Sequence, residues 1–145
     1  MYKCQINVYL ILIQSGNILM LRRANTGFKD GMYSLPAGKL DQGETIPQAI
    51  VREAKEEVGI DISLSPNWMQ STNILHRYSK DGTVALDFFQ SASEFSGTAR
   101  NIEPEKCDEV LWVSLDAIPE NTIPYIKQGI HNAIHGIILD EFIWE

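Results

Sequence analysis

From Gly38 to Ile60 the chain reads GKLDQGETIPQAIVREAKEEVGI, and this run limits what it can fold into more than any other. Thr45 followed by Gln48 is a capping box, Pro47 is tolerated in a first helical turn, and Gly59 suits the left-handed residue that ends a helix. A helix from about Ile46 to Val58 is expected. Turning roughly 100° per residue, Ile46, Ile50, Val51, Ala54 and Val58 share an arc of roughly 140°, and Gln48, Arg52 and Lys55 lie opposite. Glu53, Glu56 and Glu57 fill a separate arc of about 100° that borders the apolar one. Glu57 projects between Ile46 and Ile50, toward the edge of the core.

Two carboxylates about 4 Å apart repel by roughly 4 kcal/mol at an effective dielectric of about 20, and a third adds to this. On a solvated face such a run is ordinary, with Arg52 and Glu56 as an i, i+4 pair. Beside a core, with Ala49 the only small neighbour, the compact cluster of Glu53, Glu56 and Glu57 points instead to a hard divalent cation, which takes oxygen ligands.

No repeat, low-complexity tract or linker divides residues 1–145, so one domain is expected over that length. INVYLILI and NILMLRR flank the turn signal Ser15-Gly16-Asn17 and form a hairpin, while TVALDFFQ and EVLWVSL supply further strands. Residues 123–135, with Pro124 in the first turn, carry apolar residues at helical spacing. Strands surrounding two helices mean a mixed α/β domain. A chain that is 44% apolar and 21% charged can bury a core of its own, and its net charge of -7 excludes nucleic-acid binding through a broad basic surface. An anionic substrate held through a cation is not excluded. Cys4 and Cys107 form no metal-ligand spacing and are expected as reduced thiols. The run VYLILI is too short to span a membrane, and no export signal is read, so a cytoplasmic protein is expected.

Gly38, then five residues, Glu44, then seven, then Arg52-Glu53-Ala54-Lys55-Glu56-Glu57-Val58-Gly59-Ile60 resembles the complete Nudix box of the MutT-like pyrophosphohydrolases, with Ala54 where a larger aliphatic is frequent. YSLPAGKL is similar to the family's aromatic-x-x-Pro-Gly-Gly lead-in, Ala37 replacing the first glycine. EPEKCDEVLWVSLDAIP resembles the strand and turn that follow the box in the nucleotide-pool branch. The resemblance implies an α/β/α sandwich with a mixed β-sheet and a catalytic loop-helix-loop. It implies Mg²⁺ or Mn²⁺ held by Glu53, Glu56 and Glu57, with the Gly38 carbonyl assisting. Arg52 would orient the catalytic Glu53, and Glu44 would brace the loop. An acidic residue beyond the box would complete the site or act as base: Glu105 is the first choice, Glu103 the second and Glu109 the third.

Arg22, Arg23 and Lys39 are candidate phosphate contacts; Arg22 and Arg23 alternate faces at a strand end, so at most one enters the pocket. Phe28, Tyr33, Phe88 and Trp112 are candidate stacking residues for a base, and Phe88 and Phe89 point to opposite faces of the sheet. His131 and His135 have zinc-ligand spacing, but NAI between them lacks the glutamate of a zinc protease and no third ligand is evident. Tyr78 is similar in position to a tyrosine of diadenosine polyphosphate hydrolases. No coenzyme A signature precedes the box and no NADH-diphosphatase signature follows it.

These features imply metal-dependent hydrolysis of a nucleoside diphosphate linked to another moiety, foremost a (deoxy)nucleoside triphosphate, oxidised or modified forms included, to the monophosphate and pyrophosphate. The alternatives are a dinucleotide polyphosphate or nucleotide-sugar hydrolase and, from another class, a non-catalytic nucleotide-binding module. The expected partner is a small nucleotide, with no polymeric nucleic acid and no membrane; homodimers are frequent in the family. The C-terminal GIILDEFIWE carries Phe142, Ile143 and Trp144, which would pack on the domain or on a partner.

Overall fold

The computed structural model describes residues 1–144; Glu145, the end of the C-terminal segment and of the expected 1–145 domain, lies outside the described residues. In chain order the elements are β1 (Gln5–Gln14), β2 (Asn17–Arg23), β3 (Tyr33–Ser34), β4 (Ala37–Lys39), α1 (Ile46–Val58) and β5 (Asp61–Ile62). A 3₁₀ turn at Trp68–Ser71 leads to β6 (Thr72–Ser79), β7 (Val84–Ala92), β8 (Phe95–Ser96), β9 (Cys107–Ser114), α2 (Pro124–His135) and β10 (Leu139–Trp144).

Strand β1 organises the sheet. One edge pairs parallel with β7 from Gln5↔Ala85 to Leu12↔Ala92. The other pairs antiparallel with β4 at Asn7↔Lys39, Val8↔Gly38 and Tyr9↔Ala37, and beyond it with β2 at Ile13↔Ile18. The main sheet runs β10-β6-β7-β1-β2-β3, with β4 added on β1 and β9 on β2, and β5 and β8 form a separate ribbon. The run VYLILI is continuously apolar because both faces of β1 are covered. Val8, Leu10 and Leu12 face the cluster that includes Ala49, Ile50, Ala54 and Val58 of α1. Tyr9 and Ile11 face the cluster that includes Tyr125, Ile126 and Ile130 of α2. The result is an α/β/α sandwich around a mixed sheet, as expected.

Helix α1 has the expected bounds. Thr45 accepts from the Gln48 N–H at 3.2 Å, the Gln48 amide oxygen accepts from the Thr45 N–H at 2.9 Å, and Gly59 closes the helix at φ 72°. The buried face differs from the helical wheel: Ala49 is fully buried and Val51 is 40% exposed. The small alanine lets the backbone approach the sheet, so the core arc is rotated away from Val51.

Strands β6 and β10 were not expected. The first carries Asn73, Leu75 and Arg77 inward at period two, a pattern that a buried arginine disguises. The second adds itself parallel to β6, from Leu139↔Ile74 to Trp144↔Ser79. The C-terminal segment therefore packs on the domain through Phe142 and Trp144, whose rings meet Tyr125 edge to face, while Ile143 stays 53% exposed. Both cysteines are free, and no helix among the described residues is long and apolar enough to cross a membrane.

Candidate active site

Strand β4 is short, but its register against β1 lays it beside α1. Gly38 then faces Glu53 so closely that a Cβ at this position would overlap the Glu53 carboxylate. One residue earlier, the Ala37 N–H donates to Glu57 Oε1 at 3.0 Å. Arg52 gathers the loop and the helix into one unit. Its Nε and Nη2 donate to the two oxygens of Glu44 at 2.7 and 3.0 Å, Nη1 donates to Glu53 Oε1 at 2.6 Å, and Nη2 also reaches the Lys39 carbonyl at 3.1 Å. Glu56 stands 3.4 Å from Arg52 and is more exposed than Glu53. Glu44 in turn accepts from the Asp41 N–H at 3.0 Å, so the loop before the helix is closed through this carboxylate.

The electrostatics divide these acids into two kinds. The hydrogen bond from Arg52 holds the Glu44 carboxyl below its ordinary range, and Glu44 holds the Arg52 guanidinium above its own. Burial pushes the Glu57 carboxyl well above the ordinary range, and the neighbouring charge of Glu53 adds to the effect. Burial also raises Glu53, against the opposing pull of Glu57 and Arg52. A pair of carboxyls in this condition resists carrying two negative charges. Among the described residues no three acidic, histidine or cysteine groups stand in ligating array, and Glu53 and Glu57 are engaged by Arg52 and by the Ala37 N–H. The donor set nevertheless fits a hard divalent cation: the oxygens are carboxylates, two of them are partly desolvated, and glycine at position 38 keeps the approach to Glu53 open.

A cleft of two joined compartments meets this edge. The acidic compartment, about 570 Å³, is lined by Glu53, Glu56, Glu57 and Glu103, with Arg23, Lys39 and Lys106 supplying positive charge. The second, about 440 Å³, is lined by Gln5, Asn7, Phe28, Arg77, Tyr125 and Trp144 among others. Arg23, Ala37, Gly38 and Lys39 line both.

Several candidates lie elsewhere. Glu105 is exposed and outside the cleft, whereas Glu103 lines it; the turn closed by the Lys106 N–H to the Glu103 carbonyl at 2.9 Å brings its two end residues, Glu103 and Lys106, to the cleft and leaves Glu105 out of it. Arg22 bonds Asp108 at 2.7 Å on the strand face opposite to Arg23 and does not line the cleft. Tyr33 donates to Glu109 at 3.3 Å, outside the cleft with its partner. Phe88 packs in the α1-side core, Phe89 is fully buried on the α2 side, and Trp112 stacks on Phe95. Tyr78 lies against His76. His131 and His135 stack with ring centroids 4.1 Å apart, and a backbone carbonyl engages one of them. Of the cleft residues, the sequence reading missed Gln5, Asn7, Arg77, Tyr125 and Trp144. The available signal was parity: Arg77 and Asp87 stand at inward positions of β6 and β7.

A sheet between two helices, with a glutamate-rich loop-helix-loop along one edge, is the layout of MutT-type folds. The solved MutT NUDIX hydrolase from Burkholderia pseudomallei superposes with a TM-score of 0.77 over 90% of this chain and 98% of that one, at 23% identity. The chain belongs to the NUDIX domain family, whose model matches residues 3–133. Among curated relatives, the NAD-capped RNA hydrolase NudC of Stutzerimonas stutzeri (strain A1501) is 31% identical over 110 residues, 76% of this chain and 37% of that protein. The 8-oxo-dGTP diphosphatase of Escherichia coli (strain K12) is 43% identical over 60 residues, 41% of this chain and 46% of that one. The chain thus spans well under half the length of the first of these relatives.

Proposed function

We propose that this protein is a divalent-metal-dependent pyrophosphohydrolase that cleaves a (deoxy)nucleoside triphosphate to the monophosphate and pyrophosphate. The observation that carries the proposal is the partly buried carboxylate pair at the mouth of the cleft, Glu53 packed against Gly38 and held by Arg52 at 2.6 Å, and Glu57 held by the Ala37 N–H at 3.0 Å.

Glu53, Glu56 and Glu57, with the Gly38 carbonyl, would hold Mg²⁺ or Mn²⁺. When bound, the ion supplies charge screening for the phosphate oxygens and acidifies water. Arg52 fixes the Glu53 carboxylate so that it accepts the proton of the attacking water. That water forms a bond to phosphorus, the bridging P–O bond between the α and β groups breaks, and the two products leave as anions. Arg23 and Lys39, at the junction of the compartments, counter the phosphate charge, and Glu103 is the acid beyond the box that faces the same space. Catalysis of this kind rests on positioning and electrostatics.

The likeness to a NAD-capped RNA hydrolase favours one second reading, cleavage of the diphosphate of a dinucleotide. Phosphate and pyrophosphate release from a panel of nucleoside triphosphates, dinucleotides and nucleotide sugars with Mg²⁺ separates the readings. Wild type is expected to cleave triphosphates best, and Glu53→Gln and Glu56→Gln to lower kcat by about a hundredfold or more. Equal turnover in Glu53→Gln rejects the proposed site, and preferential cleavage of dinucleotides rejects the substrate.

A further inference from the structure

The loop that joins β8 to β9 brings Glu103 to the acidic compartment, yet residues 102–106 include no fully buried side chain that would anchor it. Its position comes from its two ends. At the first, the Arg100 N–H donates to the Val58 carbonyl at 3.0 Å and the Ile102 N–H to the Glu57 carbonyl at 3.3 Å, so the loop satisfies carbonyls that the last turn of α1 leaves free. Gly59 makes room for this seat, since a Cβ there would come within 3.0 Å of Ile102 and 3.1 Å of Arg100. At the second end, the Lys106 carbonyl accepts from the Ala24 N–H at 2.9 Å, and Cys107 enters β9 opposite Arg23. The loop thus hangs between the helix that bears Glu53, Glu56 and Glu57 and the strand that bears Arg23.

Asn101 ties the two ends together. Its Nδ2 donates to the Cys107 carbonyl at 2.7 Å, which closes the segment that holds Glu103. The ion pair of Lys106 with Glu103 at 3.7 Å is solvated and holds the loop weakly by comparison. The Asn101 Oδ1 is buried with no partner in the protein. An unpaired buried acceptor costs stability, so the use of the amide lies in its donor. The reverse amide orientation would set oxygen against the Cys107 carbonyl, which only accepts. Burial and the charge of Glu53 raise the Glu57 carboxyl, and the charge of Glu103 adds to them, so the acid of the loop is within electrostatic reach of the helix.

We propose that Asn101 is a positioning residue: by closing the loop on Cys107 it sets Glu103 in the acidic compartment, beside the glutamates of α1. Asn101 does not line the cleft and acts through Glu103 alone. This rests on the reading that the compartment receives a divalent cation and the phosphates.

The test is a double-mutant cycle with two readouts, calorimetric Mn²⁺ binding in the absence of substrate and kcat for triphosphate hydrolysis. Glu103→Gln is expected to weaken Mn²⁺ binding about threefold or more, through the lost charge, and to lower kcat about tenfold or more. Asn101→Ala follows it in both readouts with KM within about twofold, and Asn101→Ala/Glu103→Gln is no worse than Glu103→Gln. Asn101→Leu, which removes the orphan acceptor together with the donor, shows the same losses while melting within about 3 °C of wild type. An Asn101 substitution that costs the same factor whether or not Glu103 is present overturns the proposal. So does Asn101→Leu with wild-type Mn²⁺ affinity and kcat, or Glu103→Gln that changes neither. Non-additive Mn²⁺ binding in a protein that hydrolyses no anhydride would reject the hydrolytic reading and uphold this one, whereas hydrolysis with additive losses does the reverse.

Discussion

At the scale of single residues, the site depends on one absent side chain and one guanidinium. Gly38 is required for space rather than for an unusual backbone angle, since a Cβ there would meet the movable end of Glu53. Gly38→Ala is therefore expected to push the Glu53 carboxylate out of place and leave the fold intact. Because misplacement by about 1 Å can lower a rate by about a hundredfold, kcat/KM should fall by that order while the melting temperature stays within about 2 °C. Steady-state kinetics beside a thermal melt checks this, and a large loss of stability with unchanged activity per folded molecule would reject it. The position was legible in the sequence because the box pattern demands glycine there. The roles of Glu103 and Glu105 were not, because three acids crowd one loop and only the turn decides which of them faces the cleft.

At the scale of elements, the two helices show how much local chemistry can fix. The bounds of α1 follow from Thr45, Gln48 and Gly59, each of which satisfies a terminal backbone group, so they could be read directly. Which residues α1 buries could not, because the tilt of a helix on a sheet belongs to both partners. Helix α2 makes the same point through Gly129, where an added Cβ would run into the ring of Phe89 beneath it. Gly129→Ala improves helix propensity but overpacks this contact, and the contact wins: the variant should lose about 1–3 kcal/mol in urea unfolding. A neutral or stabilising result would show that the ring moves aside. Strand β6 escaped notice because Arg77 breaks the expected apolar alternation, and its partner Asp87 lies on another strand.

At the scale of the whole molecule, pH reports how the carboxyls are balanced. Glu57 has a folded-state carboxyl well above its ordinary 4.5, so between that value and its raised one the folded state binds more protons than the unfolded. Its contribution is fully present below the ordinary value and is lost as pH rises through the raised one. Glu44 has the opposite sign, with stability present above 4.5 and lost as pH falls. In EDTA, Glu57→Gln is expected to melt higher than wild type at neutral pH and to lose less stability between about pH 5 and pH 8. Thermal melts across that range decide the matter, and parallel curves for the two proteins would remove Glu57 as the source.

What the sequence determined by itself was the acidic loop-helix-loop, the capped helix within it and the apolar central strand, since each rests on interactions among near neighbours in the chain. The tertiary structure alone decided the rest of the cleft. Gln5 and Asn7 of β1, Arg77 of β6 and Trp144 of β10 meet through the pairing of β1 with β7, of β7 with β6, and of β6 with β10, while Phe28 arrives from the loop after β2 and Tyr125 from α2. A local pattern records which face a residue prefers. It does not record which distant face it will meet.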